Sequence, residues 1–98
     1  MLFKVICSED SKVIEIDRNK KTLDLKEKTS NAFGKRLQSK EYSLKTTICS
    51  SVKLHDNSVL STIPSDNPSL QAELVEGNPV YTLYVEFEHN VKKSCTIL

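Results

Sequence analysis

The sequence has no tryptophan, two glycines (Gly34 and Gly77) and three prolines (Pro64, Pro68 and Pro79). With glycine so scarce there is no glycine-rich loop to cradle a phosphate, and no internal repeat or low-complexity segment interrupts the chain. Its three cysteines, Cys7, Cys49 and Cys95, are an odd number at wide spacing. That pattern is not the even set of a disulfide-stapled secreted domain. Neither Cys-x-x-Cys nor His-x-x-x-His occurs, and His55 and His89 stand alone, so no zinc site is expected. No apolar run approaches the length of a membrane span. Met1-Leu2-Phe3-Lys4-Val5 leads straight into strand-like sequence, without the apolar core of a signal peptide. The formal net charge is +1. A nucleic-acid ligand would need a basic stripe that neutralises several phosphates, and none is present. These absences lead us to expect a reducing, cytoplasmic setting, no metal or other cofactor, and no nucleic-acid partner.

What is present is one small domain's worth of chain: 98 residues, 38% hydrophobic and 28% charged, enough for a core and too apolar for a disordered segment. Residues 2–7 alternate, with Phe3, Val5 and Cys7 on one face and Leu2, Lys4 and Ile6 on the other. After the polar Ser8-Glu9-Asp10-Ser11, residues 12–17 alternate again through Ile14 and Ile16, which predicts an antiparallel hairpin. The period then lengthens. Leu25, Thr29, Ala32, Phe33 and Leu37 fall on one face of a helix over 23–33 that frays toward Leu37, with Thr22 as N-cap and Gly34 ending it. Residues 35–42 read as a loop, 44–49 and 52–54 as short strands, 55–58 as a turn, and 59–63 as a return to the core. The segment 65–79 is rich in Pro, Asn, Ser and acids, with a helical turn at 70–75. Residues 81–88 form the strongest strand, facing Leu83, Val85 and Phe87 inward. The order hairpin, helix, two short strands, final strand implies an α+β fold: a mixed four- to five-stranded sheet packed on one helix.

That order, with the stretch Lys53-Leu54-His55-Asp56-Asn57-Ser58-Val59-Leu60-Ser61-Thr62-Ile63, resembles the ubiquitin-like β-grasp family. The stretch is similar to Gln-Leu-Glu-Asp-Gly-Arg-Thr-Leu-Ser-Asp-Tyr-Asn-Ile of ubiquitin. The resemblance spans 1–88, with 89–98 a polar tail. Two departures matter: the terminal Gly-Gly used for conjugation is missing, and about a dozen residues, roughly within 65–79, are added before the last strand. With the ending Cys95-Thr96-Ile97-Leu98, they make the chain most similar to membrane-anchored ubiquitin-fold proteins, which end in a CaaX box. In such a box Cys95 takes the lipid and Leu98 favours geranylgeranyl. Lys92 and Lys93 would each add about 1 kcal/mol near an anionic leaflet. The same ending also has the pattern of a PDZ ligand, with Thr96 two places before Leu98; lipid processing would remove it.

The resemblance implies a protein-binding face on the outer sheet surface, centred on Ile48 as the third-strand isoleucine, with Tyr84 on the last strand and Thr46 and Ile6 completing it. Glu86 falls where ubiquitin is apolar, which argues against ordinary ubiquitin receptors. The expected function is therefore a non-catalytic interaction adaptor, prenylated at Cys95 and held at the inner face of the plasma membrane or an endomembrane. The alternative is an N-terminal ubiquitin-like or PB1-like module of a larger scaffold or cytoskeletal protein, with Lys4 on its basic side and Asp56 and Asp66 on its acidic side. Cys49, His55 and Asp56 have the residue types of a thiol nucleophile, base and orienter. A strand cysteine followed by a polar turn accounts for them without catalysis, and no enzyme activity is expected.

Overall fold

The computed structural model describes residues 1–38, 41–48 and 52–87. Strand β1 (Leu2–Cys7) turns through Ser8 and Glu9, Ser8 at positive φ, into the antiparallel β2 (Asp10–Glu15). Helix α1 (Thr22–Phe33) follows, then β3 (Tyr42–Lys45), the short helix α2 (Ile63–Asp66), β4 (Gln71–Val75) and β5 (Asn78–Phe87). Strand β1 runs parallel to β5, Leu2 opposite Val80 and Ile6 opposite Tyr84. On its other side β5 pairs antiparallel with β4 over its first half and with β3 over its second. The result is an α+β domain, a mixed five-stranded sheet with one helix against it, in a β-grasp-like arrangement.

Alternation decides which residues fill the space between sheet and helix. Phe3, Val5 and Cys7 of β1, Ile14 of β2, Leu44 of β3 and Leu83 of β5 point inward and are buried. They meet Leu25 and Phe33 of α1, and Leu60 and Ile63 from the segment around α2. Val85 and Phe87 pack at the margin of this core and remain partly exposed. The helix buries a narrow stripe, Thr22, Leu25, Thr29 and Phe33, and Ala32 is exposed rather than inward. Leu37 does reach the core, carried there by a 3-10 turn from Gly34 to Arg36.

The helix begins one residue earlier than expected, with Lys21 at the cap position and Thr22 inside. Asp24 accepts the Lys21 amide hydrogen at 3.0 Å, a side-chain answer to one orphan donor of the first turn. Two more are answered by the turn at 55–58: the Thr22 amide donates to the Ser58 carbonyl at 2.9 Å, and Leu23 donates to that of Asp56 at 3.1 Å. At the far end Gly34 adopts φ 65° and ψ −136°, a combination that side-chain-bearing residues enter only with strain. The Tyr42 hydroxyl joins helix to sheet, donating to the Lys26 carbonyl at 2.6 Å and lying 2.6 Å from the Ser30 hydroxyl.

The segment expected to hold a helical turn is instead a hairpin arm. Gln71-Ala72-Glu73-Leu74-Val75 is built of good helix formers, but five residues are too few to hold a helix alone. Glu76 and Gly77, both at positive φ, make the mirror-image two-residue turn that folds this segment onto β5. Consequently β5 starts at Asn78, not at residue 81. Strand β3 likewise starts earlier, at Tyr42, and ends at Lys45, so residues 46–48 lie beyond it. Of the expected strand at 52–54, Lys53 makes a single bridge to Lys45.

Candidate protein-binding surface

The outer face of the sheet is read directly from the strand register. Lys4 and Ile6 of β1, Thr82, Tyr84 and Glu86 of β5, and Ser43 and Lys45 of β3 share it, with Val13 of β2 at its border. Tyr84 is the pivot, with Ile6 opposite on one side and Lys45 on the other. A shallow depression of about 210 Å³ opens here, lined by Ile6, Lys45, Ile48, Tyr84 and Glu86. Ile48 is its most protruding apolar wall, 69% exposed.

The electrostatics of the depression centre on Lys45. Lysine is seldom buried unless paired, yet this residue is buried. Its ammonium forms an ion pair with the Glu86 carboxylate and donates to the Ile48 carbonyl at 3.2 Å. One side chain thus answers a charge on β5 and anchors the backbone that carries Ile48. The floor is an ion pair and a tyrosine ring, the rim an isoleucine: a small amphipathic patch.

Of the residues singled out in the sequence, Ile6, Ile48 and Tyr84 line this one depression. Thr46 does not join them. It is buried, and its hydroxyl lies 3.1 Å from that of Ser69, beneath the surface rather than on it. Nor is Ile48 a third-strand residue: the strand position opposite Tyr84 is Lys45, and Ile48 reaches the patch from beyond the strand end. Lys45 was missed, although the alternation Tyr42-Ser43-Leu44-Lys45 puts it on the outer face once Tyr42 is taken as the strand start.

No family model and no curated protein matches this sequence. Cys95 and Cys49 lie outside the described residues. His55 and Asp56 have their interactions elsewhere: the His55 Nδ1 accepts from the Asn57 amide at 3.3 Å, and Asp56 pairs with Lys26 at 3.3 Å. Asp56 is thereby engaged within the fold, while Lys4 is half-buried on the outer face and Asp66 is exposed on α2. Among the described residues no cluster of three or more His, Cys, Asp or Glu side chains has the arrangement of a metal site. No helix among them is long and apolar enough to cross a membrane. A larger hollow of about 400 Å³, between Met1, Glu15, Arg18, Pro79 and Tyr81, lies at the opposite end of the sheet.

Proposed function

We propose that this chain is a ubiquitin-like, non-catalytic interaction module that binds a protein partner through the Ile6–Ile48–Tyr84 depression. The observation that carries this reading is the convergence of those three side chains, from β1, the segment after β3, and β5, around the Lys45–Glu86 pair. Isolated surface apolar residues need no explanation, but a contiguous apolar group rimmed by polar ones has the composition of a contact site. The complementary partner presents an apolar side chain to Ile48 and Tyr84, with polar groups placed for Lys45 and Glu86.

Attachment at the inner face of a membrane belongs to the same proposal and rests on the sequence Cys95-Thr96-Ile97-Leu98. A single prenyl chain gives only reversible attachment, so the partner would supply the second point of contact. Intact mass of the protein recovered from its own cells tests the anchor. A truncated, methylated, geranylgeranylated Cys95 supports it; an unmodified chain ending at Leu98 removes it and leaves a free PDZ-type ending. A larger species would make this domain a module of a longer protein.

For the binding face, the measurement is an NMR titration of the isotopically labelled chain with enzymes of the ubiquitin pathway. Shifts confined to Ile6, Lys45, Ile48 and Tyr84 and abolished by Ile48→Asp support the proposal. Shifts elsewhere, or indifference to that substitution, would falsify it.

A further inference from the structure

Basic residues are unevenly distributed along this chain. After Lys53 no lysine or arginine occurs until Lys92, whereas Asp56, Asp66, Glu73, Glu76, Glu86 and Glu88 all fall in the interval. Within that interval the β4–β5 hairpin carries Glu73, Glu76 and Glu86 and no basic residue. Among the described residues β4 pairs with β5 alone, which leaves its other edge open. All five of its side chains are exposed, Leu74 by 74%.

The turn fixes which backbone groups that edge presents. In a two-residue hairpin the residues flanking the turn exchange both hydrogen bonds, and bonded and non-bonded pairs then alternate. Val75, Glu73 and Gln71 accordingly bond to β5, and the N–H and C=O of Ala72 and Leu74 point away from it. Pro79 stands opposite Leu74 in a non-bonded pair, so its missing N–H removes nothing from the β4–β5 ladder. The edge offers two donors and two acceptors in strand geometry, flanked by Leu74 on one face and Glu73 on the other.

A second copy of this chain fits poorly. The antiparallel register that uses both Ala72 and Leu74 places Glu73 opposite the other copy's Glu73, in the closely spaced non-bonded pair. There the Cα atoms approach to about 4.5 Å and like charges are destabilising. The same geometry defines what does fit. We propose that the open edge of β4 is a strand-addition site for an extended peptide of apolar–basic–apolar pattern. Its apolar side chains lie beside Ala72 and Leu74, and its lysine or arginine stands opposite Glu73. Backbone bonds give affinity and the alternating side chains give selectivity. The site lies on the half of the sheet that β4 shares with β5, away from the Ile48 depression, and does not depend on it.

The test uses the full chain and a fluorescein-labelled synthetic peptide of alternating valine and lysine, followed by fluorescence anisotropy. Its counterpart carries glutamate in place of lysine. We expect the lysine peptide to bind at least roughly fivefold more tightly than the glutamate peptide, and Glu73→Lys to reverse that order. Ala72→Pro, which deletes an outward N–H without touching the β5 ladder, should weaken both. Glu73 is exposed, so its substitution carries the test even if the proline variant does not fold. Equal binding of the two peptides, no binding of either, or an order unchanged by Glu73→Lys would overturn the proposal. So would a wild-type dimer in sedimentation equilibrium that Ala72→Pro dissociates, because the edge would then belong to a second copy.

Discussion

Removal of the Glu86 carboxylate should cost more than removal of the whole Lys45–Glu86 pair. Lys45 retains 10% of its side-chain exposure and Glu86 36%, so the pair is neither a surface bridge nor a sealed one. Exposed bridges are worth about 0–1 kcal/mol, and cutting one partner from a buried pair costs about 3–5 kcal/mol. Glu86→Ala strands a mostly buried ammonium whose remaining acceptor among the described residues is the Ile48 carbonyl, and the intermediate exposure places the loss at about 2 kcal/mol. For a domain of this size that lowers the melting temperature by roughly 10 °C. Lys45→Met with Glu86→Ala removes the stranded charge as well and should return to within about 1 kcal/mol of the parent. Urea unfolding of the parent, both single variants and the double variant closes the cycle. A Glu86→Ala cost below about 0.5 kcal/mol would mean that water already solvates the ammonium. A double variant no more stable than Glu86→Ala alone would show that the buried charge is not the liability. Either result refutes the reasoning.

Three further outcomes are expected. Leu83→Ala, at a fully buried position, should cost about 2–5 kcal/mol in urea unfolding, whereas Ile48→Ala should stay within about 0.5 kcal/mol while weakening partner binding. Gly34→Ala meets no neighbouring atom but forces φ 65° and ψ −136° on a side-chain-bearing residue; it should lose about 1–3 kcal/mol from backbone strain alone, read as a lower urea midpoint at unchanged slope. Burial holds the Tyr42 phenol above its usual range, with a smaller upward push from Cys7 against the lowering by the Ser30 hydrogen bond. The unfolded chain releases this proton first, so stability should fall as pH rises above about 10. Tyr42→Phe should abolish that pH dependence at a cost of about 1–2 kcal/mol.

What could be read in advance follows from which forces are local. The alternation of β1 is set by its own residues, and Phe3, Val5 and Cys7 are buried while Leu2, Lys4 and Ile6 keep partial exposure. The helical stripe through Leu25, Thr29 and Phe33 is local in the same sense. The β4 segment was not legible, because its helix-forming residues are overruled by a partner strand across the turn at Glu76 and Gly77. Strand β3 was legible in part: residues 44 and 45 fall within the strand expected over 44–49, whereas the expected loop over 35–42 covers Tyr42, and the groups that satisfy Lys45 come from Glu86 and Ile48. The early end of β3 explains the displaced candidate site. With the strand taken to run from residue 44, Ile48 looked like a strand residue and Thr46 its surface neighbour; the actual end at Lys45 puts Ile48 beyond the strand and Thr46 under the surface.

The parallel pairing of β1 with β5 also governs when the protein can form. Leu2 lies against Val80 and Ile6 against Tyr84, so the central ladder joins stretches separated by nearly the whole described length. A chain emerging from a ribosome can make the β1–β2 hairpin and α1 early, but it cannot close its sheet until the stretch through Tyr84 has cleared the exit tunnel. Contacts between such distant stretches make for slow folding, because the loop entropy is lost before those contacts reward it. Until then the apolar side of β1 is open to whatever else is in reach, and a nascent chain stalled before Val80 would be a ready chaperone client.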